Sequence, residues 1–240
     1  AASDVYKRQI LAGLIFVAVA TGLRTAREAT ERQFVRNIST GVEQFKQAFK
    51  FYPPLVDDTT PLDTATKRIL VQGDTGDGGL AALQYLQNPA QPRFSERSLP
   101  IFLAGVLGQE YDGVEGSGFL APQPDGQFAK SGPRTDPFLD TSRDAERLAR
   151  TGGDTIPAYR DRWNGAIRYY RWEPTKYPKG HPQFGETSSG NAPVLFGDPA
   201  GNAKLRDGGF AIVSAGRNQR IANSPPTADD NLDNIVELAQ

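Results

Sequence analysis

The chain has 240 residues, 38% of them hydrophobic, and a formal net charge of −1. That allows one ordinary globular domain beside any long helix, and so balanced a charge gives no electrostatic reason to expect a nucleic-acid partner. Cysteine is absent, which excludes disulfides, thiolate metal sites and cysteine nucleophiles. Methionine is absent too, so the chain is read as a processed product or a fragment.

The first residues sharpen that reading. Asp4-Val5-Tyr6-Lys7-Arg8-Gln9 back-translates to GAT GTG TAT AAG AGA CAG, which resembles the end of a common sequencing-library transposon adapter. Residues 1–9 are therefore expected to be an assembly scar and are set apart from the fold.

From Ile10 to Tyr52 the chain reads as one unbroken helix of roughly 60 Å. Its first third is apolar all round: Ile10, Leu11, Leu14, Ile15, Phe16, Val17, Val19 and Leu23 lie in a run without a charge. Beyond Leu23 the apolar positions thin to a stripe of Ala26, Ala29, Phe34, Val35, Ile38, Val42, Phe45, Ala48 and Phe49. Steps of three and four place these on one face, with arginine, lysine and glutamate around it. Pro53-Pro54 is expected to stop the helix, because proline lacks the amide donor.

Three readings of the apolar run stay open here. It is short of the ~18 residues of a membrane span, but an upstream part hidden by the scar would extend it. A cleavable signal peptide would use Lys7 and Arg8 as its basic region and Ala18-Val19-Ala20 as its cleavage site. Against it, the stripe runs on past Ala20 without a linker. A buried core helix is disfavoured by length, so a membrane-anchored helix that later packs in a bundle is the preferred reading.

After Tyr52 the chain changes character: all 18 prolines and all but three of the 25 glycines lie there. Leu62–Gln72, Leu80–Leu86 and Arg143–Arg150 are expected to be short helices, and Pro100–Leu107 is ambiguous between helix and buried strand. Ala166–Trp172 and Gly209–Ser214 read as strands, with Val194–Phe196 as a short third. Loops rich in glycine, proline and aspartate separate them: Gly73–Gly79, Tyr111–Pro137 and Thr175–Asn191. The expected fold class is α+β, a long N-terminal helix packed on a small antiparallel sheet. Phe34, Ile38, Val42, Phe45 and Phe49 would form the helix side of that core. The expected organisation is a scar (1–9), a membrane or filament helix (10–52) and a globular head (53–240).

Catalytic patterns are sparse. His181 is the only histidine and sits in a proline-lysine-glycine loop, which reads as exposed. Gly116-Ser117-Gly118 lacks the full nucleophile-elbow pattern, and Lys130-Ser131 has no phosphate-loop glycines before it. The carboxylate pairs Asp112 with Glu115, Asp136 with Asp140 and Asp57 with Asp58 are candidate acid–base pairs for glycoside hydrolysis. Each lies among turn-forming residues, where aspartate commonly bonds its own backbone. Gly73–Gly79 looks calcium-like but lacks EF-hand spacing and its closing glutamate. Asp229, Asp230 and Asp233 form the better candidate metal cluster, since calcium takes six to eight oxygens.

Several of these segments carry a resemblance. Leu23-Arg24-Thr25-Ala26-Arg27-Glu28 and Phe51-Tyr52-Pro53-Pro54 resemble the stem of type IV pilin-like proteins, particularly type II secretion pseudopilins. Asp161-Arg162-Trp163-Asn164-Gly165 is similar to their aspartate-x-tryptophan-glycine-asparagine-proline turn, with the last pair swapped and no proline. Phe210–Gly216 resembles their penultimate strand and serine-x-glycine, and Asp229–Ile235 their closing acidic-isoleucine motif. Each motif is weak alone; their order along one chain is the stronger signal.

The resemblance implies a non-catalytic prepilin-type subunit, methylated at its N-terminus. It would wait in the inner membrane with its head in the periplasm and then polymerise into a secretion-like or pilus-like filament. Its implied partners are further copies of itself, minor pseudopilins, an inner-membrane assembly platform and a prepilin peptidase. Several major pseudopilins hold calcium in the C-terminal loop, which makes calcium the candidate cofactor. Asn218 and Gln219 stand where the family often has aspartate-glycine. The alternative class is an exported, membrane-tethered binding domain or carbohydrate-active enzyme.

Overall fold

The structure is a computed structural model that describes residues 2–72, 94–140, 142–143, 145–149, 156–172, 194–197, 202–222 and 225–239. The expected helix Leu80–Leu86, the loop Gly73–Gly79 and His181 lie outside the described residues. The chain divides into two compact units, Ala1–Phe34 and Val35–Gln240.

The first unit is a single helical stretch, the N-terminal part of helix α1 (Ala2–Phe49). No proline interrupts it, and Thr25 and Thr30 donate their hydroxyls to the carbonyls of Thr21 and Ala26. Such back-bonding satisfies the hydroxyl within the helix.

The second unit is α+β, as its alternating composition predicts. It begins with the last turns of α1, where Val35, Ile38, Val42 and Phe45 are buried and Phe49 is half-buried. Phe45 is the hub: its ring lies 4.8 Å from Phe49, 5.4 Å from Phe51, and 6.0 Å from both Phe102 and Phe138. Edge-on and tilted aromatic pairs at these separations add to the gain from burial itself. Gly41 lies on this face beside Leu103 and Leu139, where a Cβ would make ordinary contact at 3.5 Å.

α1 ends at Phe49, short of Pro53-Pro54. Lys50 takes a left-handed backbone (φ 69°), and its amide donates to the Lys46 carbonyl at 2.8 Å. The stop is therefore a left-handed cap and not the prolines. The prolines instead anchor the chain that follows, with Tyr169 Oη donating to the Pro53 carbonyl at 3.2 Å. Tyr52 packs edge-on against Phe210 at 5.1 Å, above Gly209, where a Cβ would meet its ring at 2.6 Å.

The main sheet has four antiparallel strands in the order β3-β6-β7-β8: Phe94–Ser95, Ile167–Arg171, Phe210–Ser214 and Ile235–Leu238. The two sequence-predicted strands are its centre, paired from Ile167↔Ser214 to Arg171↔Phe210. One face carries Tyr170, Trp172, Ala211 and Val213, covered by Leu195, Phe196 and Leu205. Alternation puts Tyr169 and Ile212 on the other face, and both are fully buried.

Three expectations change. Leu62–Gln72 is not a helix but a hairpin, β1 (Leu62–Asp63) with β2 (Arg68–Ile69). The Asp63 carboxylate accepts the amides of Ala65 at 2.9 Å and Thr66 at 3.3 Å, a turn that competes with helix formation. Val194–Phe196 is a 3-10 turn, not a strand. Arg143–Arg150 gives a 3-10 turn, Ala145–Arg147, running into β4 (Leu148–Ala149), which pairs with β5 (Ala158–Tyr159). The ambiguous Pro100–Leu107 resolves as helix α2 (Ser98–Ala104), closed by Gly105 in the left-handed region.

Candidate functional site

The apolar segment of α1 leaves its large side chains in the open. Ile10, Leu11, Leu14, Ile15, Phe16, Val17, Val19 and Leu23 are all exposed, Phe16 by 79%. A helix apolar on every side has no polar face to turn to water, and burying each such side chain is worth about 1.5–3 kcal/mol. By length and composition, Gln9–Phe49 contains a stretch able to cross a membrane, and none of that stretch is buried within the chain. Charge returns at Arg24, whose guanidinium reaches Glu28 at 4.0 Å one turn on. The segment therefore offers an unsatisfied apolar surface with a sharp polar boundary.

In the second unit, three of the sequence motifs meet. Asp161 opens the tight turn before β6. Its Oδ1 accepts the amides of Trp163 at 2.9 Å and Gly165 at 2.7 Å. Its Oδ2 accepts the hydroxyl of Ser214, at the end of β7, at 2.8 Å. Burial pushes the Asp161 carboxyl up from its ordinary value, and the Ser214, Gly165 and Trp163 donors pull against that rise. Two residues past Ser214, Gly216 is left-handed (φ 65°), and a Cβ there would collide with the Asp233 carbonyl oxygen. Asp233 Oδ2 in turn accepts the Asn218 amide at 2.7 Å. A hydrogen bond thus joins the aspartate turn to the serine-x-glycine, and the closing acidic motif packs against Gly216 and accepts the Asn218 amide just beyond it.

The swapped Asn164-Gly165 pair also has a physical account. Asn164 sits at φ 68°, a left-handed conformation that asparagine tolerates better than most side chains. Gly165 needs to be glycine for space: a Cβ would lie 2.9 Å from Asp161 Oδ2 and 3.3 Å from Ala215 Cβ.

The candidate calcium ligands do not converge. Asp229 is exposed on a 3-10 turn, Asp229–Asn231. Asp230 holds the Arg220 guanidinium at 3.2 Å, and Asp233 Oδ2 is committed to Asn218. Asp233 Oδ1 is buried without a hydrogen-bond partner, but one oxygen is not the six to eight that calcium takes. Among the described residues no group of three metal-ligating side chains is present. The described residues do not fit a calcium centre.

The candidate acid–base carboxylates serve the backbone. Asp112, fully buried, accepts the amides of Leu107 at 3.2 Å, Gly108 at 3.3 Å and Val114 at 3.0 Å. Asp58 accepts the Ser95 hydroxyl at 2.8 Å and the Glu96 amide at 2.9 Å. Burial pushes both carboxyls up. Asp140 accepts the Ser142 amide at 2.9 Å and its hydroxyl at 2.6 Å. Asp112 and Asp140 are the turn-forming aspartates that their sequence neighbourhoods suggest, whereas Asp58 reaches partners far away in sequence.

Sequence reasoning found each motif separately and missed that Asp161 and Ser214 bond to each other. No local pattern in the sequence carried that signal. A long apolar N-terminal helix followed by a small antiparallel sheet is compatible with a pilin-like fold. No family model, curated protein or solved structure matches the chain.

Proposed function

We propose that the chain is a non-catalytic structural subunit of a type IV pilin-like filament, of the kind found as pseudopilins in type II secretion-like systems. The observation that carries this reading is the exposed, wholly apolar start of a helix that continues without a break into an amphipathic, partly buried end. The apolar segment waits in the inner membrane with the head in the periplasm. Assembly then exchanges its lipid neighbours for the same segment of other subunits. Contacts of one patch with a different patch on the next copy generate an open helical filament, not a closed ring. The converging motifs around Asp161 support the family reading, because they are the points at which the resemblance was drawn. An assembly platform, a prepilin peptidase and minor subunits are its proposed partners.

Crosslinking tests this directly. The chain has no cysteine of its own, so introduced thiols report without background. With Ile15→Cys and Val19→Cys together, oxidation in cells is expected to give a ladder of covalent multimers. If no pair placed anywhere along residues 10–23 crosslinks in cells, the polymer reading fails. A purified head that hydrolyses a glycan, and loses that activity with Asp112→Asn, would replace it with the tethered-enzyme reading.

A further inference from the structure

Asn164 is the only asparagine of the chain that precedes a glycine. Asparagine followed by glycine is the dipeptide most prone to spontaneous deamidation, because no side chain on the following residue obstructs ring closure. The backbone nitrogen of Gly165 attacks the Asn164 side-chain carbonyl carbon. A new N–C bond forms, the C–NH2 bond breaks and ammonia leaves. Water then opens the resulting succinimide at either carbonyl, giving aspartate or isoaspartate; nothing is oxidised or reduced.

The fold opposes that reaction at its nucleophile. The Gly165 amide donates to Asp161 Oδ1 at 2.7 Å, so the attacking nitrogen is tied down and faces a carboxylate that disfavours loss of its proton. Gly165 is buried, with Asp161 Oδ2 and Ala215 Cβ filling the space beside its Cα. The backbone around the pair is clamped as well: the Asp161 amide donates to the Gly165 carbonyl at 2.8 Å and the Asn164 amide to the Asp161 carbonyl at 3.0 Å. Asn164 itself is exposed, so water reaches the side chain while the nucleophile stays held.

We propose that Asn164 is a latent deamidation site, silenced in the folded head by Asp161 and released when the Asp161 turn opens. Conversion to isoaspartate inserts a backbone methylene into the turn. That breaks the register that joins Arg160 to Ala166 and returns Asp161 to Gly165. A head in which that conversion has occurred does not close again in the same form. The inference rests on the head alone and stands apart from the filament reading.

The test uses the full chain, purified in detergent and incubated at neutral pH. The readout is conversion at each asparagine, followed by peptide mass and by an enzymatic isoaspartate assay. Conversion at Asn164 is expected to be at least about tenfold slower in the folded chain than in the same chain in urea. Asp161→Asn is expected to speed conversion in its folded fraction about tenfold, the factor that about 1.4 kcal/mol represents. Where that variant yields no folded fraction, Ser214→Ala, which removes only the hydroxyl on Asp161 Oδ2, is expected to give a smaller acceleration. The acceleration is to be selective for Asn164, whereas mere destabilisation would raise conversion at Asn202 and Asn218 alike. Equal rates in folded and urea-unfolded chain, or an unselective rise in the variants, would overturn the proposal.

Discussion

The two ends of α1 both carry large apolar side chains and use them in opposite ways. Residues 35–49 alternate hydrophobic and charged positions, and Val35, Ile38, Val42 and Phe45 are buried in the head. Residues 10–23 carry no charge, and every large side chain among them is exposed. An amphipathic stripe fits a partner that covers one face, and this chain supplies that partner. A stretch apolar all round fits surroundings on every side, and the described residues of this chain supply none. Along the same helix the large apolar side chains pass from exposed, up to Leu23, to buried, from Val35, and charge returns at Arg24.

That contrast is easiest to break in the head. Phe45→Asp would place a charge among four aromatic rings, and cooperative unfolding of the head is expected to disappear. The milder Phe45→Ala should cost about 3–5 kcal/mol, seen as an earlier urea midpoint. A head that melts at the parent temperature with Phe45→Asp would show that the stripe is not a core. Next in size is Ile15→Asp, which charges the open segment. A carboxylate at a helix centre costs about 2.5–3.5 kcal/mol to place in a bilayer. Membrane recovery after cell fractionation should fall sharply while the thermal melt of the head stays put. A shifted melt would mean that Ile15 belongs to the head after all.

The smallest effect concerns pH. Burial raises the Asp112 carboxyl above its ordinary 3.8, so the fold favours the protonated form. Its stabilising contribution is complete below the unfolded value and is lost as pH rises through the folded one. Asp112→Asn should therefore gain in melting temperature relative to the parent as pH rises from strongly acid to neutral. Differential melts of the two proteins across that range check the sign; a variant that loses ground to the parent as pH rises would contradict it.

The long-range outline was legible because it is written in periodicity. The change at Leu23, the stripe around Phe45 and the two central strands all follow from spacing. What escaped was decided by single side chains. Asp63 turned an expected helix into a hairpin by capturing two amides. Lys50 ended α1 before the prolines by adopting a conformation that lysine rarely takes. The Asp161–Ser214 bond joins residues that are distant in sequence, and no local pattern announces such a pair. The candidate metal cluster shows the same limit: of its three aspartates, Asp230 and Asp233 meet different partners in space, Arg220 and Asn218.

The left-handed cap at Lys50 also bears on mechanics. Because α1 stops there and the chain turns directly into the sheet through Tyr52 and Pro53, the helix end is fastened at several points at once. A pull on the helix end would reach the head through the Phe45–Phe51 ring contact and the Tyr169–Pro53 bond together. In the proposed filament subunit, such a joint would keep the head attached while the helix is drawn from one environment into another.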